Sequence, residues 1–178
     1  MTADELAVAR AIQAGLIDGG AALVTYLPDS RFATLEVLLE QGPRLRVVRC
    51  AREDEGVAIA VGAAMGGLPS VAIMEGTGLG FCGLILARAR LQHTPLLLVL
   101  SHTEGPGESR PFHSTAIATS TAMLRGFDIP SRPLSHADQI ADVVAQTLVT
   151  VVTQRSICAL TLPGLIHTGA EVDAHAAR

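Results

Sequence analysis

Val47-Val48-Arg49-Cys50-Ala51-Arg52-Glu53-Asp54-Glu55-Gly56-Val57-Ala58-Ile59-Ala60-Val61-Gly62-Ala63-Ala64-Met65-Gly66-Gly67 joins the end of an apolar strand to a helix whose charges all stand at its start. Glu53, Asp54 and Glu55 fall in the first turn, where the helix macrodipole favours negative charge. After Glu55 no charge follows until past Gly67, and a helix apolar all round is a buried one. Its glycines and alanines let another backbone or a ligand come close. A strand leading into a crossover helix is the building unit of a parallel sheet.

The same alternation repeats on both sides of this stretch. Upstream, Leu6, Val8, Ala9, Ile12, Leu16 and Ile17 recur at helical spacing, and Gly19-Gly20 close the segment. The run 21–27, bounded by glycine and Pro28, reads as a buried strand. Pro28, Asp29 and Ser30 form the loop after it, and Asp29 or Ser30 is placed to cap a helix over 31–41. Residues 45–49 give the second strand and 53–67 the helix already quoted. Downstream, 69–75 reads as a strand, 76–80 as a glycine loop opening a helix that ends at Gln92, and Leu96-Leu97-Leu98-Val99-Leu100 as the clearest buried strand. A loop over 101–112, a helix over 114–126, an extended stretch over 129–134 broken by Pro130 and Pro133, a helix to 154 capped by Ser135, and a strand over 156–162 follow.

Strands alternating with helices in this way predict an α/β fold: a doubly wound, mostly parallel six-stranded sheet with helices on both faces. Ligands of such a sheet gather at the carboxyl ends of its strands, so the loops at 28–30, 52–53 and 76–80 converge on one edge. A single domain over 1–166 with a frayed tail over 167–178 is expected.

Composition narrows the function classes. The 178 residues are 49% hydrophobic but only 3% aromatic, so the core is built from Ala, Val, Leu and Ile. A net charge of −4 with dispersed arginines argues against a nucleic-acid partner. No lysine is present, which excludes lysine Schiff-base chemistry and a P-loop lysine within this chain. Cys50, Cys82 and Cys158 stand far apart in apolar sequence and read as buried reduced thiols, with no metal-ligand grouping. Met1 to Glu5 is polar and acidic, unlike a signal peptide, and no apolar run reaches the ~20 residues of a membrane span. A cytoplasmic protein is expected.

Gly78-Leu79-Gly80-Phe81-Cys82-Gly83 matches G-x-G-x-x-G between a strand and a helix, with Glu104 downstream, and so raises an NAD(P)-binding oxidoreductase. Against it, the motif follows the third strand rather than the first, and Glu104 stands among Gly105, Pro106 and Gly107. Glycines that serve only a tight strand-to-helix turn are the simpler alternative.

The spacing Glu53-x-x-x-x-Ala58-x-Ala60-x-Gly62-Ala63 resembles the catalytic-glutamate helix in the pyrimidine-binding domain of thiamine-diphosphate enzymes. The wider pattern adds Thr25-Tyr26-Leu27-Pro28-Asp29-Ser30, the stretch from Pro95 to Glu108 and Gly126-Phe127-Asp128-Ile129-Pro130. Together these are similar to the short decarboxylases acting on sulfopyruvate and phosphonopyruvate, over nearly the whole chain.

The resemblance implies that Glu53 hydrogen-bonds a ring nitrogen of the cofactor's aminopyrimidine and promotes its imino tautomer. Such work suits a carboxyl group able to share a proton near neutral pH, which apolar surroundings favour. It implies that Gly76, Thr77 and Gly78 line the cofactor cleft, that Pro28, Asp29, Ser30 and Arg52 line the substrate side, and that His102 and His113 contact substrate or shuttle a proton. Solvated loop histidines and an exposed strand-end arginine are the plainer alternatives. In split members of the group a partner subunit holds the diphosphate through Mg²⁺ with a Gly-Asp-Gly motif and a downstream Asn. This chain has no Gly-Asp-Gly and no asparagine, so the resemblance implies half of an active site in a hetero-oligomer that decarboxylates a small 2-oxo acid. Thr103-Glu104 stands where those decarboxylases commonly carry Arg-Gly, a departure that weakens recognition of a second anionic group. A non-catalytic scaffold or regulatory subunit of the same fold would leave Glu53 idle.

Overall fold

The computed structural model describes residues 2–102 and 111–164, the side chains of Phe112 and Ser114 excepted. The expectations for Thr103, Glu104 and the 167–178 tail lie outside the described residues. Six strands, β1 (Leu23–Tyr26), β2 (Arg46–Arg49), β3 (Ser70–Glu75), β4 (Leu96–His102), β5 (Ser131–Pro133) and β6 (Ile157–Pro163), alternate with six helices. These are α1 (Ala3–Asp18), α2 (Ala33–Gln41), α3 (Glu53–Met65), α4 (Gly83–Leu91), α5 (Ala116–Gly126) and α6 (Ile140–Gln154).

The sheet runs β2-β1-β3-β4-β6-β5, and every pairing is parallel rather than mostly so. Helices cover both faces, which is why the central strands read as unbroken apolar runs. Val71, Ile73, Leu97 and Val99 face the layer of α1, α2 and α6, with Ile12, Leu16, Leu39 and Val144. Ala72, Met74, Leu98 and Leu100 face the layer of α3, α4 and α5, with Val57, Ala60, Leu86 and Leu124. Each fully buried leucine of β4 contributes about 1.5–3 kcal/mol. The outer edges are unattractive to further strands: β2 exposes Arg46 and Arg49, and β5 is three residues long beside Pro130.

From β1 the chain moves outward to β2 through α2, then crosses back to β3 on the other side of β1 through α3. The order therefore reverses between β1 and β3, and in open α/β sheets the crevice beyond such a reversal is where ligands bind. The loop after β1 and the turn after β3 meet there.

Five local expectations are corrected. Helix α2 starts at Ala33, its N-cap is Phe32, and neither Asp29 nor Ser30 caps it. Asp29 instead makes its own turn, its Oδ1 accepting from the Arg31 N–H at 2.9 Å. The glycine stretch after β3 is a 3₁₀ helix, Gly76–Cys82, that runs into α4. Strand β4 continues through Ser101 and His102, which sequence reading put in a loop, because both polar side chains find partners at the strand's end. Ser135 does not cap α6, which follows a 3₁₀ turn, Ala137–Gln139, and has Gln139 as an N-cap without a side-chain bond. Cys158 is half-buried rather than buried, and no helix among the described residues is long and apolar enough to cross a membrane.

Candidate functional site

Helix α3 is fixed to the sheet at its first turn. The buried Thr25 hydroxyl on β1 donates to the Gly56 carbonyl at 3.0 Å. A Cβ on Gly56 would lie 3.5 Å from that oxygen and 3.6 Å from the Cys50 sulfur, so the glycine sits in ordinary contact with the sheet. This attachment sets the position of the three acids just before it.

The acids divide their work. Asp54 takes the Arg52 guanidinium in two bonds, at 2.9 and 3.0 Å, and that pairing holds the Asp54 carboxyl below its usual range. Glu55 reaches back to accept the Ala51 N–H at 2.9 Å. Glu53, half-buried, forms no side-chain hydrogen bond among the described residues. Its carboxyl lies against Gly78: a Cβ there would stand 2.5 Å from Glu53 Cδ and closer still to Cγ and Oε1. Only a residue without a side chain leaves that carboxyl its place. Arg52 lies 5.5 Å from the centre of the Phe81 ring as well as on Asp54, so its charge is already matched at the rim.

The 3₁₀ helix brings the next members together. Gly76 is buried, and its Cβ position would fall 3.0 Å from His102 Cδ2 and 3.1 Å from the Ala116 carbonyl. His102 Nε2 meets the Ser120 hydroxyl on α5 at 2.7 Å. Thr77 is half-buried between the two glycines. His113, in the 3₁₀ turn Pro111–Thr115, is buried. Behind Gly78, the Cys82 thiol donates to its carbonyl at 3.6 Å, and burial, with Asp54 and Glu53 adding negative charge, pushes that thiol up to about 12.

On the opposite face of the sheet edge, Asp29 is tied down. Its Oδ2 accepts from the Ser101 hydroxyl at 2.5 Å, and its own N–H donates to Glu36 Oε1 at 2.8 Å. Burial raises the Glu36 carboxyl above its ordinary range, against the opposing hydrogen bond from the Asp29 N–H. Arg31 donates to the Pro163 carbonyl at 2.8 Å, while its buried Nε and the buried Glu75 Oε1 have no partner among the described residues. Pro28 and Ser30 stand exposed at the rim. Glu53 thus meets Gly78 and His102 meets Gly76 on one face, whereas Asp29 belongs to a separate network beside them. Ser101, Ser120 and Glu75 were not singled out in the sequence, where no local pattern marks them. A cleft of about 840 Å³ between α1 and α2 reaches Ser30 and Arg31, and Glu53 does not line it.

No family model matches the chain. It is 28% identical over 153 residues to the sulfopyruvate decarboxylase subunit alpha of Methanothermobacter thermautotrophicus, covering 85% of this chain and 93% of the relative. The chain is similar to a thiamine-diphosphate pyrimidine-domain protein. The subunit alpha of Methanococcus maripaludis is 27% identical over 94 residues, 52% of this chain and 56% of that one. Among solved structures, a 2-oxoglutarate:ferredoxin oxidoreductase from Magnetococcus marinus, with 2-oxoglutarate, coenzyme A and succinyl-CoA bound, superposes with a TM-score of 0.68 at 19% identity. That match covers 92% of this chain and 29% of the oxidoreductase chain, and establishes the shared fold alone. The α/β fold read from the sequence, a six-stranded parallel sheet with helices on both faces, holds.

Proposed function

We propose that this chain is the pyrimidine-binding subunit of a two-subunit, cytoplasmic thiamine-diphosphate enzyme that decarboxylates a small 2-oxo acid, of the sulfopyruvate or phosphonopyruvate kind. The observation that carries the reading is Glu53: at the start of α3, beside the reversal of strand order, its carboxyl rests on bare glycine and is claimed by no other described side chain. That cradle fits an aminopyrimidine ring, which is flat and asks for one carboxyl at a ring nitrogen. Thiamine diphosphate supplies the electron sink for carbon–carbon cleavage. Glu53 holds the proton that the ring nitrogen shares, and Gly76, Thr77 and Gly78 keep the cleft narrow. His102 and His113 stand as candidate proton carriers, and Pro28, Asp29, Ser30 and Arg52 as the substrate-side rim.

Two features support a partner. Neither Gly-Asp-Gly nor asparagine occurs in these 178 residues, so the residues that hold the diphosphate and its Mg²⁺ in the resembling enzymes lie outside them, and in this proposal a partner chain brings them. Beyond its first turn helix α3 is apolar on all sides, yet its Ala58, Gly62 and Met65 are exposed, as are Phe81, Leu84 and Leu91 on the elements that pack against it. Apolar surface of that extent beside a candidate site is what a partner covers. Both curated relatives carry the name subunit alpha, which agrees with this.

A dinucleotide reading of Gly78 to Gly83 is disfavoured by the Glu53 carboxyl on Gly78, since a pyrophosphate approaching that turn would meet a negative charge. The test is Glu53→Gln in the enzyme assembled with its partner. Turnover is expected to fall by about 10²–10⁴-fold, the range of a positioned proton-transfer group, with the thermal melt unchanged. Near-normal turnover would refute the role and favour a scaffold subunit.

A further inference from the structure

We propose that Thr25 is a positioning residue for Glu53: its buried hydroxyl holds the first turn of α3 at the place from which the Glu53 carboxyl meets Gly78. Thr25 stands within β1, in register with Val48 of β2 on one side and Ala72 of β3 on the other, and is fully buried. Valine has the same branched shape and would fill such a place with no polar atom to satisfy, whereas a buried hydroxyl is costly unless it is hydrogen-bonded. Here it is bonded to the helix above it. It donates to the Gly56 carbonyl at 3.0 Å, and the Val71 carbonyl of β3, at 3.4 Å, lies beyond the range of a good O–H···O bond. The one proton of the hydroxyl therefore goes to α3.

Gly56 comes three residues after Glu53, about 4.5 Å along the helix axis. The rest of that turn is tied only to itself. Its N-cap, Arg52, makes no side-chain capping bond, and the side chains of Asp54 and Glu55 bond Ala51, Arg52 and Glu55, all within the helix's own start. The buried residues of α3 begin only at Gly56. Among the described residues, the Thr25 bond is thus the side-chain hydrogen bond that joins this turn to the sheet. Gly78 follows β3, the strand beside β1, so a shift of α3 against β1 moves the carboxyl relative to the glycine it rests on. Buried beneath α3, Thr25 acts through Glu53, and the inference rests on the role proposed above for that residue.

Two variants separate the hydroxyl from the packing: Thr25→Val keeps the shape and removes the hydroxyl, and Thr25→Ser keeps the hydroxyl and removes a methyl. The tie can be read without any turnover, by hydrogen exchange in the full chain at the amides of Val57 to Ala60, whose helical acceptors are the carbonyls of residues 53–56. Exchange there is expected to quicken about tenfold in Thr25→Val, the net worth of one hydrogen bond, and to stay parental in Thr25→Ser. In the enzyme assembled with its partner, Thr25→Val should lower kcat by about tenfold or more, a part of the ~10²-fold cost of a misplacement of ~1 Å, with the KM for the 2-oxo acid unmoved. Its melt should fall by no more than about 4 °C, and Thr25→Ser should hold the parental kcat. Unmoved exchange or a parental kcat in Thr25→Val overturns the proposal, as does a kcat that falls equally in Thr25→Ser, which would assign the effect to the methyl. A collapsed melt in Thr25→Val overturns it too, because the hydroxyl would then serve the fold rather than the place of Glu53. The predicted exchange with no decarboxylation of any 2-oxo acid by the parent enzyme would uphold the tie and count against the function instead.

Discussion

Gly78→Ala separates the site from the scaffold more cleanly than removal of Glu53 itself. The new Cβ would stand 2.5 Å from Glu53 Cδ, against the ~3.5–4.0 Å at which two carbons sit comfortably. The neighbour it meets is the end of a flexible side chain, so the carboxyl yields by about 1 Å and the backbone stays. Gly78 is not in the left-handed region, and alanine strains nothing there. The stability change is therefore expected within about 1 kcal/mol, the usual scale of a compatible Gly→Ala exchange. Activity should suffer far more: a misplacement of ~1 Å costs about 10²-fold, or about 2.7 kcal/mol of barrier. The assay is carbon dioxide release by the assembled enzyme, alongside a thermal melt of the same preparation. Wild-type turnover in Gly78→Ala would mean that the carboxyl's place does not matter, and a collapsed melt would mean that the turn is structural; either refutes the reasoning.

Two further substitutions probe the frame. Gly15→Ala gains helix propensity of about 1 kcal/mol, but its Cβ would lie 2.5 Å from the Ala141 carbonyl and 2.7 Å from Val144 Cβ on α6. A net loss of about 1–3 kcal/mol is expected by urea unfolding, because a helix backbone cannot give way as a carboxyl can; an unchanged midpoint would deny the close contact of α1 and α6. Glu36→Gln keeps an oxygen for the Asp29 N–H and removes the charge. Burial raises the Glu36 carboxyl, so the folded state holds that proton to higher pH than the unfolded chain, and its contribution to stability falls as pH rises through the carboxyl range. The melting difference in favour of glutamine should grow from acid to neutral pH, and a difference that shrinks would contradict the burial.

The parallel sheet was legible because buried strands write themselves as apolar runs between glycine and proline, as Leu96 to Leu100 do. Glu53 was legible as an acid at the head of an uncharged helix, and the likeness of its spacing to a known helix suggested the role proposed for it. Its contact with Gly78 was not legible, since 24 intervening positions separate the two and only the adjacency of β1 and β3 joins them. The end of β4 was misread for a similar reason: Ser101 and His102 look like loop residues until Asp29 and Ser120 arrive from elsewhere in the chain. Ser120 itself sits in Ala118-Thr119-Ser120-Thr121-Ala122, where nothing distinguishes it from its neighbours. The expected burial of α3 differs instructively: its pattern calls for cover on all sides, and this chain alone covers one.

The central claim is a half-site, and the most direct measurement is carbon dioxide release from a panel of 2-oxo acids by this chain co-purified with a magnesium-binding partner, with thiamine diphosphate and Mg²⁺ added. Release that requires both chains and the cofactor, and that disappears with Glu53→Gln, is the predicted result. An intact, cofactor-loaded complex that releases none from any acid would contradict it.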